Sequence, residues 1–577
     1  MKRLLSAVCI VAIGLTAPGR PSAATTVQGS VAFTHALRGA ALATPEARFA
    51  IAFPLRNQAE LQKLLADLQD PASPRYHRWL TPAQFASSFG PALAARTAIA
   101  RELSANGFAV RVTSQEVFGH GPQAAAERYF RTKFALRSPD GVSRPVYTPL
   151  APLQRSPLLV SQNARVIGLD GFGDLRTQSH VGSERTLFPQ NYNGPQGPYF
   201  ATDLKQAYSY PSYAVATGAG ASIGILSASP VNPSDYETYF DAIGEYAPGN
   251  AYPTVFNIPI DGGGPFNASS AATVEATLDV EMSAGSAPGA QIAVFDEPTL
   301  SFADFLESYS IAVESGVNIV SSSLGACELD FNSQTGGWYE AALHSVFEEG
   351  STEGISFVGA SGDNGAFNCG TTTTTSSLGV ISPVNDPLVI GVGGTTALTT
   401  SYTSGSYVSK YVSETSYDTP FTDHGGAVWG SGGGYSVLYA RPAYQTGFNT
   451  KSAFRGLPDL AMHMGGPANG QSTDWIVLGG QYYQDYGTSA AAPEFAGLLA
   501  LRIQLSGSLQ GDLHPALYAA AKKTGAFRKG IHGNNGYYAT TTTMWDPVLG
   551  LGTPYGRVIA GVPTAPLAGT PETPTNP

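Results

Sequence analysis

The hydrophobic pattern divides the chain into two stretches with different rhythms. Beyond residue 220, short apolar runs recur: ASIGILSAS (221–229), AQIAVFDE (290–297), VNIVSSSLG (317–325), ISFVGASGD (355–363) and LVIGVGGT (388–395). Each is nearly all apolar and bounded by turn residues, so each reads as a strand buried on both faces. Between them lie PSDYETYFDAIG, TVEATLDVEMSAG, FADFLESYSIAVESG and WYEAALHSVFEEG, with apolar positions at helical spacing. Buried strands alternating with helices predict an α/β domain whose parallel sheet is flanked by helices. Active sites in such sheets sit at the carboxyl ends of the strands.

The stretch before it mixes periods. RFAIAFPL (48–55) reads as a strand, and QAELQKLLADLQ (58–69) places Leu61, Leu64, Leu65 and Leu68 on one helical face. TPAQFASSFG opens a helix with Thr81 as cap and Pro82 behind it. ARTAIARELSANGF and AAERYFRTKF read as two more helices, giving a small α+β module over 25–178. QSHVGSERTLFPQNYNGPQGP (178–198) is polar and rich in Gly and Pro, and reads as an exposed linker open to proteolysis. The large domain then runs over 199–563, and the Pro/Thr-rich tail 564–577 reads as disordered.

The first 24 residues, MKRLLSAVCIVAIGLTAPGRPSAA, combine a basic start, an apolar run and a small-residue cleavage site. That is a signal-peptide pattern, and the run is short of the ~20 residues that span a membrane. A secreted protein is expected, extracellular or periplasmic, with no membrane partner. Removing the signal takes Cys9 with it and leaves Cys327 and Cys369, a pair expected to form a disulfide in an oxidising compartment.

Only 13% of residues are charged, about half the ordinary share, so little of the surface depends on ion pairs that acid would break. The charge is also unevenly placed. Residues 25–190 carry a net +7 and residues 191–577 a net −21. Such asymmetry predicts that the basic module binds the acidic one, and that acid weakens the hold. The acidic domain points away from nucleic acid.

The candidate chemistry centres on YGTSAAAPEFAG (486–497), where Ser489 lies among small residues ahead of an apolar helix. A serine hydroxyl needs a base to take its proton. Nine histidines are present, and none lies in a turn suggesting that base. Carboxylates do have a motif: Glu275 and Asp279 stand at i and i+4 on one helical face, beside the apolar stripe of Val274, Leu278 and Met282. A solvated acidic face is the alternative reading. If partly buried, the pair shares a proton and one pKa rises, which suits a base working in acid, where histidine is already charged. Asp363 ends an apolar strand in ASGDNG; protonated, it can donate to an oxyanion, and otherwise it is an ordinary turn aspartate.

With these stretches, the chain resembles the sedolisin (kumamolisin-like) family of serine-carboxyl peptidases. The resemblance rests on EATLD (275–279), SSSLG (321–325), GASGDNGA (359–366), SPVNDPLVIGVGGT (382–395), SGGGYS (431–436), RGLPDLA (455–461) and YGTSAAAP (486–493). DPASPRYHRWLTPAQF (70–85) resembles the family's activation propeptide. The resemblance implies a subtilisin-like catalytic domain behind a ferredoxin-like propeptide that inhibits it. It implies Ser489 as nucleophile, Glu275 as general base and acid, Asp279 as its partner and Asp363 as oxyanion stabiliser. It further implies peptide-binding edges at Ser323, Leu324 and Gly325 and at Gly432, Gly433 and Gly434. A monomeric acid endopeptidase acting on peptides and proteins is expected, with tripeptidyl-peptidase activity as the alternative. An inactive peptide-binding relative, or a carbohydrate-binding or adhesive protein, stands as the rival outside catalysis.

The family also has a calcium site near the C-terminus, and here the pattern departs. In FRKGIHGNN (527–535), Lys529 occupies the family Asp position, and TTTMWDP keeps Asp546 but loses both family glycines. A hard oxygen cage thus loses a carboxylate and gains a cation. Lys529 is expected to pair with Asp546 in place of the ion, with no other cofactor.

Overall fold

The structure is a computed structural model describing residues 46–137, 146–169, 175–185, 194–243, 252–330, 337–370, 377–402, 408–417, 429–448, 451–467, 472–523 and 525–562. The expected signal peptide and tail lie outside these residues.

The N-terminal module is a four-stranded antiparallel sheet, in spatial order Ala109–Val112, Val117–Pro122, Glu46–Ala52, Arg165–Ile167. Numbered along the chain this is 2-3-1-4, the ferredoxin-like order. Phe49, Ile51, Ile99, Leu103, Val117 and Phe130 fill its core. The helix Gln58–Gln69 forms as its leucine spacing requires, burying Leu61, Leu64 and Leu68. The helix Pro82–Ser88 starts with the capping box of Thr81 and Gln84. The stretch expected to be helical through Phe134 ends at Tyr129, and Phe134–Arg137 pairs instead with Val146–Pro149.

The large domain is built on seven parallel strands, in order Thr254–Pro259, Gln291–Asp296, Ser222–Ser227, Ile319–Ser322, Ser356–Ala360, Val389–Thr395 and Leu460–His463. All five expected strands are present, and the four helical stretches form Pro233–Ala242, Ala271–Ser286, Phe302–Glu314 and Trp338–Thr352. The helix Thr488–Ser506 lies against Ala271–Ser286. It comes close because Gly497 has no side chain: a Cβ there would fall 2.5 Å from Ser286 Cβ. Cys327 and Cys369 are joined in a disulfide, with Cα atoms 4.8 Å apart.

The basic module docks on the acidic domain through Arg48 and Arg111. Arg48 Nε donates to Asp304 Oδ1 at 2.8 Å, Arg111 Nε to Glu307 Oε1 at 2.6 Å, and Asp261 bridges both arginines. Gln58 and Gln62 reach Glu348, while Ser114 and Gln115 reach Glu349.

Candidate active site

Two helices and one turn place the four candidate residues together. Glu275 and Asp279 project from Ala271–Ser286, a helix capped by Ser270 and buried nearly all round. Neither is a solvated surface residue: Glu275 is 1% exposed and Asp279 is fully buried. Ser489 opens the helix Thr488–Ser506, whose first N–H groups find acceptors outside the helix and favour negative charge there. Asp363 lies just past Ser356–Ala360, at the carboxyl end of its strand. Thr488 anchors it, donating from both N and Oγ1 to Asp363 Oδ1 at 2.8 Å.

The segment expected to be an exposed linker begins inside this site. Arg176–Thr177 pairs antiparallel with Gly325 and Leu324, and His180–Arg185 pairs with Gln481–Tyr486. Polar composition alone suggested solvent, but these two sheet edges satisfy the segment's backbone. Between the strands Gln178 is buried, its N–H donating to Glu275 Oε2 at 3.0 Å and its carbonyl accepting from Ser489 N at 3.2 Å. Gly487 makes that approach possible. Its φ is 155°, and a Cβ there would lie 2.1 Å from Gln178 O and 2.9 Å from Asp363 Oδ2. Residues 186–193 lie outside those described.

The acids are tuned by burial. Desolvation raises Glu275 above the ordinary carboxyl range, against the nearby hydroxyls of Ser489, Ser179 and Ser323 and the hydrogen bond from Gln178 N–H. Asp279 is also raised, by burial and then by the charge of Glu275, although Ser323 Oγ donates to its Oδ1 at 2.7 Å. The pair therefore holds one proton tightly. Asp363 is also raised, first by burial, with Glu275 adding to it. Neither Ser489 Oγ nor Glu275 Oε1 closes a hydrogen bond of normal geometry, which leaves the hydroxyl room to tighten onto the carboxylate as attack begins.

Of the residues expected to bind peptide, Leu324 and Gly325 carry the paired edge, whereas Ser323 turns its hydroxyl to Asp279. The glycines of SGGGYS admit the protein's own backbone. A Cβ on Gly432 would lie 2.0 Å from Ser361 O, one on Gly433 2.2 Å from Pro547 O, and Gly434 pairs with Leu457. Sequence reasoning missed Thr488 and Gly487; their position beside Ser489 was the available signal.

A Ser–His–Asp chain also exists. His463 Nε2 lies 2.6 Å from Ser472 Oγ, and its Nδ1 lies 3.1 Å from Asp474. All three residues are fully buried and Ser472 Oγ accepts from Leu398 N at 3.0 Å, so this chain is packing.

The degenerate calcium stretch does not fit the ion. Lys529 Nζ donates to the carbonyls of Met544 at 2.9 Å and Leu551 at 2.5 Å. Asp546 accepts backbone N–H groups from Thr541, Val548 and Leu549, each at 3.0 Å. The expected Lys529–Asp546 pair is thus an attraction at a distance rather than a bonded one. A chelator is expected to leave the melting temperature unchanged, and Lys529→Ala to cost about 1–2 kcal/mol through two charge-assisted bonds. Thermal unfolding with and without chelator checks both; a fall of several degrees on chelation would overturn the assignment.

A buried serine at a helix N-terminus, on a seven-stranded parallel sheet with a docked N-terminal module, defines a serine peptidase of the subtilisin-like class. The comparisons agree: residues 36–148 match the pro-kumamolisin activation domain and residues 264–537 the subtilase family. The chain is 27% identical to sedolisin from Pseudomonas sp. (strain 101) over 527 residues, 88% of this chain and 85% of that one. It is 29% identical to xanthomonalisin from Xanthomonas sp. (strain T-22) over 87% of this chain, spanning 64% of that relative. Pseudomonas sedolisin, a serine-carboxyl proteinase solved with pseudo-iodotyrostatin, superposes with a TM-score of 0.55 at 26% identity, over 64% of this chain and 98% of that one. Together these matches support membership of the sedolisin family of serine-carboxyl peptidases.

Proposed function

We propose that the protein is a secreted, acid-active endopeptidase made as a proenzyme that cuts itself. The observation that carries this reading is the linker in the cleft. It enters on one side through Arg176–Thr177, leaves on the other through His180–Arg185, and presents the Gln178 carbonyl to Ser489. A cleft that accepts extended chain on both sides of a bond suits internal cleavage. The first maturation bond in this reading is Gln178–Ser179.

Ser489 Oγ attacks the carbonyl carbon while Glu275 takes its proton. The Ser489 N–H and a protonated Asp363 hold the oxyanion. Asp279, hydrogen-bonded by Ser323, holds the other proton of the acid pair and tunes Glu275. Collapse of the tetrahedral adduct breaks the C–N bond, and Glu275 returns the proton to the leaving amine. Water then clears the acyl-enzyme by the reverse roles. Leu324 and Gly325 hold the substrate backbone by strand addition. The N-terminal signal pattern supports secretion, and no helix among the described residues is long and apolar enough to cross a membrane.

Digestion of a denatured protein at pH 3–5, with products read by mass spectrometry, tests the reading. Internal fragments are expected from wild type. Tripeptides released in order from the N-terminus would convert the assignment to a tripeptidyl-peptidase.

A further inference from the structure

The linker strand beyond the scissile bond marks a site of its own. His180–Arg185 lies antiparallel to Gln481–Tyr486, the second strand of a hairpin begun by Asp474–Leu478. The register pairs Tyr486 with His180, Asp485 with Val181, Tyr483 with Glu184 and Tyr482 with Arg185. Gln481–Tyr486 runs straight into Gly487 and Ser489, so this edge starts at the reacting bond and extends along the leaving-group side. With the linker strand gone, it is the outer strand of its sheet.

The first pairing carries side-chain chemistry as well. The His180 ring stacks on Tyr486, with centroids 5.8 Å apart and planes 14° apart. It meets the edge of Trp429 at 4.9 Å, and Trp429 and Tyr486 are themselves edge-to-face at 4.9 Å. Two rings thus form a corner that a third, flat ring fills.

We propose that the Gln481–Tyr486 edge is a leaving-side binding site for substrate, taking about six residues past the scissile bond as an added antiparallel strand. The Trp429–Tyr486 corner reads the second of those residues and favours an imidazole or aromatic ring. The inference rests on the peptidase reading above. The linker strand occupies this site in the uncut chain, and substrate binds there once that strand peels away.

The test compares quenched fluorescent peptides, identical before the cut bond, that carry either two or six residues after it. The six-residue arm is expected to raise kcat/KM at least tenfold, and N-methylation of its third and sixth amides, which take the paired positions of Val181 and Glu184, to remove the gain. Changing the second residue from His to Ala is expected to lower kcat/KM severalfold in wild type and in Tyr486→Phe, but not in Tyr486→Ala. Equal kcat/KM for the two arm lengths, or an N-methylated arm as good as the parent, would overturn the site. Failure to cut any of the peptides would overturn the peptidase reading and this inference with it.

Discussion

Ser489→Ala is expected to yield a folded chain that never cuts itself, while the wild-type protein matures to a form whose first new N-terminus reads Ser179-His180-Val181. Loss of a serine nucleophile typically removes about a millionfold in rate, so no slow residual cleavage should accumulate. The position of the cut follows from the cleft. Among the described residues of the linker, only the Gln178 carbonyl accepts from Ser489 N, and its own N–H is held by Glu275 Oε2. N-terminal sequencing of the first product decides the bond, and an initial cut anywhere in 186–198 would refute it. Self-cleavage by the Ser489→Ala form would sink the nucleophile assignment altogether.

Acid acts on the docked module in two opposite senses. Arg48 and Arg111 hold Asp304 and Asp261, pairs that protonation weakens. A second patch brings the carboxyls of Glu116, Glu314, Glu349 and Glu353 together near Arg96, with Ser114 and Gln115 among them. Burial, the leading cause in each case, pushes Glu116 to about 8, Glu349 to about 7 and Glu353 to about 9. Glu307 also rises to about 8, since burial and Asp261 outweigh Arg111. Carboxyls raised this way favour the folded, docked state below about 4.5 and lose that contribution as pH climbs through 7–9. Acid therefore favours docking through the raised carboxyls, Glu307 included, and opposes it through the arginine–aspartate pairs. The net charges of +7 and −21 thus do not by themselves give the direction in which acid shifts docking.

Much of the fold was legible because its signals are local. Short, nearly all-apolar runs bounded by turn residues read as strands buried on both faces, and the Glu275–Asp279 helix carries its own periodicity. Thr254–Pro259 and Leu460–His463 were not assigned as strands. The first is a half-buried edge strand ending in proline, and the second is only four residues long. The four candidate catalytic residues were visible as types at a spacing, but the sequence could not say that the acid pair would be buried, and burial sets its pKa. Least legible was the segment 176–185. Its polar residues look like linker, and only the edges at Leu324–Gly325 and Gln481–Tyr486, far away in sequence, make it strand. Lys529 shows the same limit: a change of charge was plain, but not that its ammonium would sit on two carbonyls.

Asp363→Asn is expected to carry activity toward neutral pH. Asp363 Oδ1 already accepts two hydrogen bonds from Thr488, so a proton on this carboxyl belongs on Oδ2, which neighbours the Gln178 carbonyl across the Gly487 Cβ position. With the proton in place, Oδ2 donates to the oxyanion. Without it, a second negative charge sits where negative charge develops. Burial and the charge of Glu275 keep the proton on well above the ordinary aspartate range, as they do for Asp485 beside them, and His180 Nε2 lies 3.7 Å from Oδ2 in the uncut chain. Activity should therefore fall as pH rises through the raised pKa of Asp363. Glu275 must be ionised to accept the serine proton, so the acid limb belongs to the carboxyl pair. Clearing the linker readmits water, relieves the burial that is the first cause of both shifts, and should draw the optimum of the mature enzyme below neutrality. Asparagine keeps an acceptor for Thr488 and offers an amide donor at every pH. The alkaline limb of kcat should then move up by roughly one unit or more, whereas Asp363→Ala should cost about 10²–10³ in kcat across the range. An Asp363→Asn profile that superimposes on wild type would assign that limb to another group, and a wild-type optimum at pH 8 or above would overturn the carboxylic mechanism as a whole.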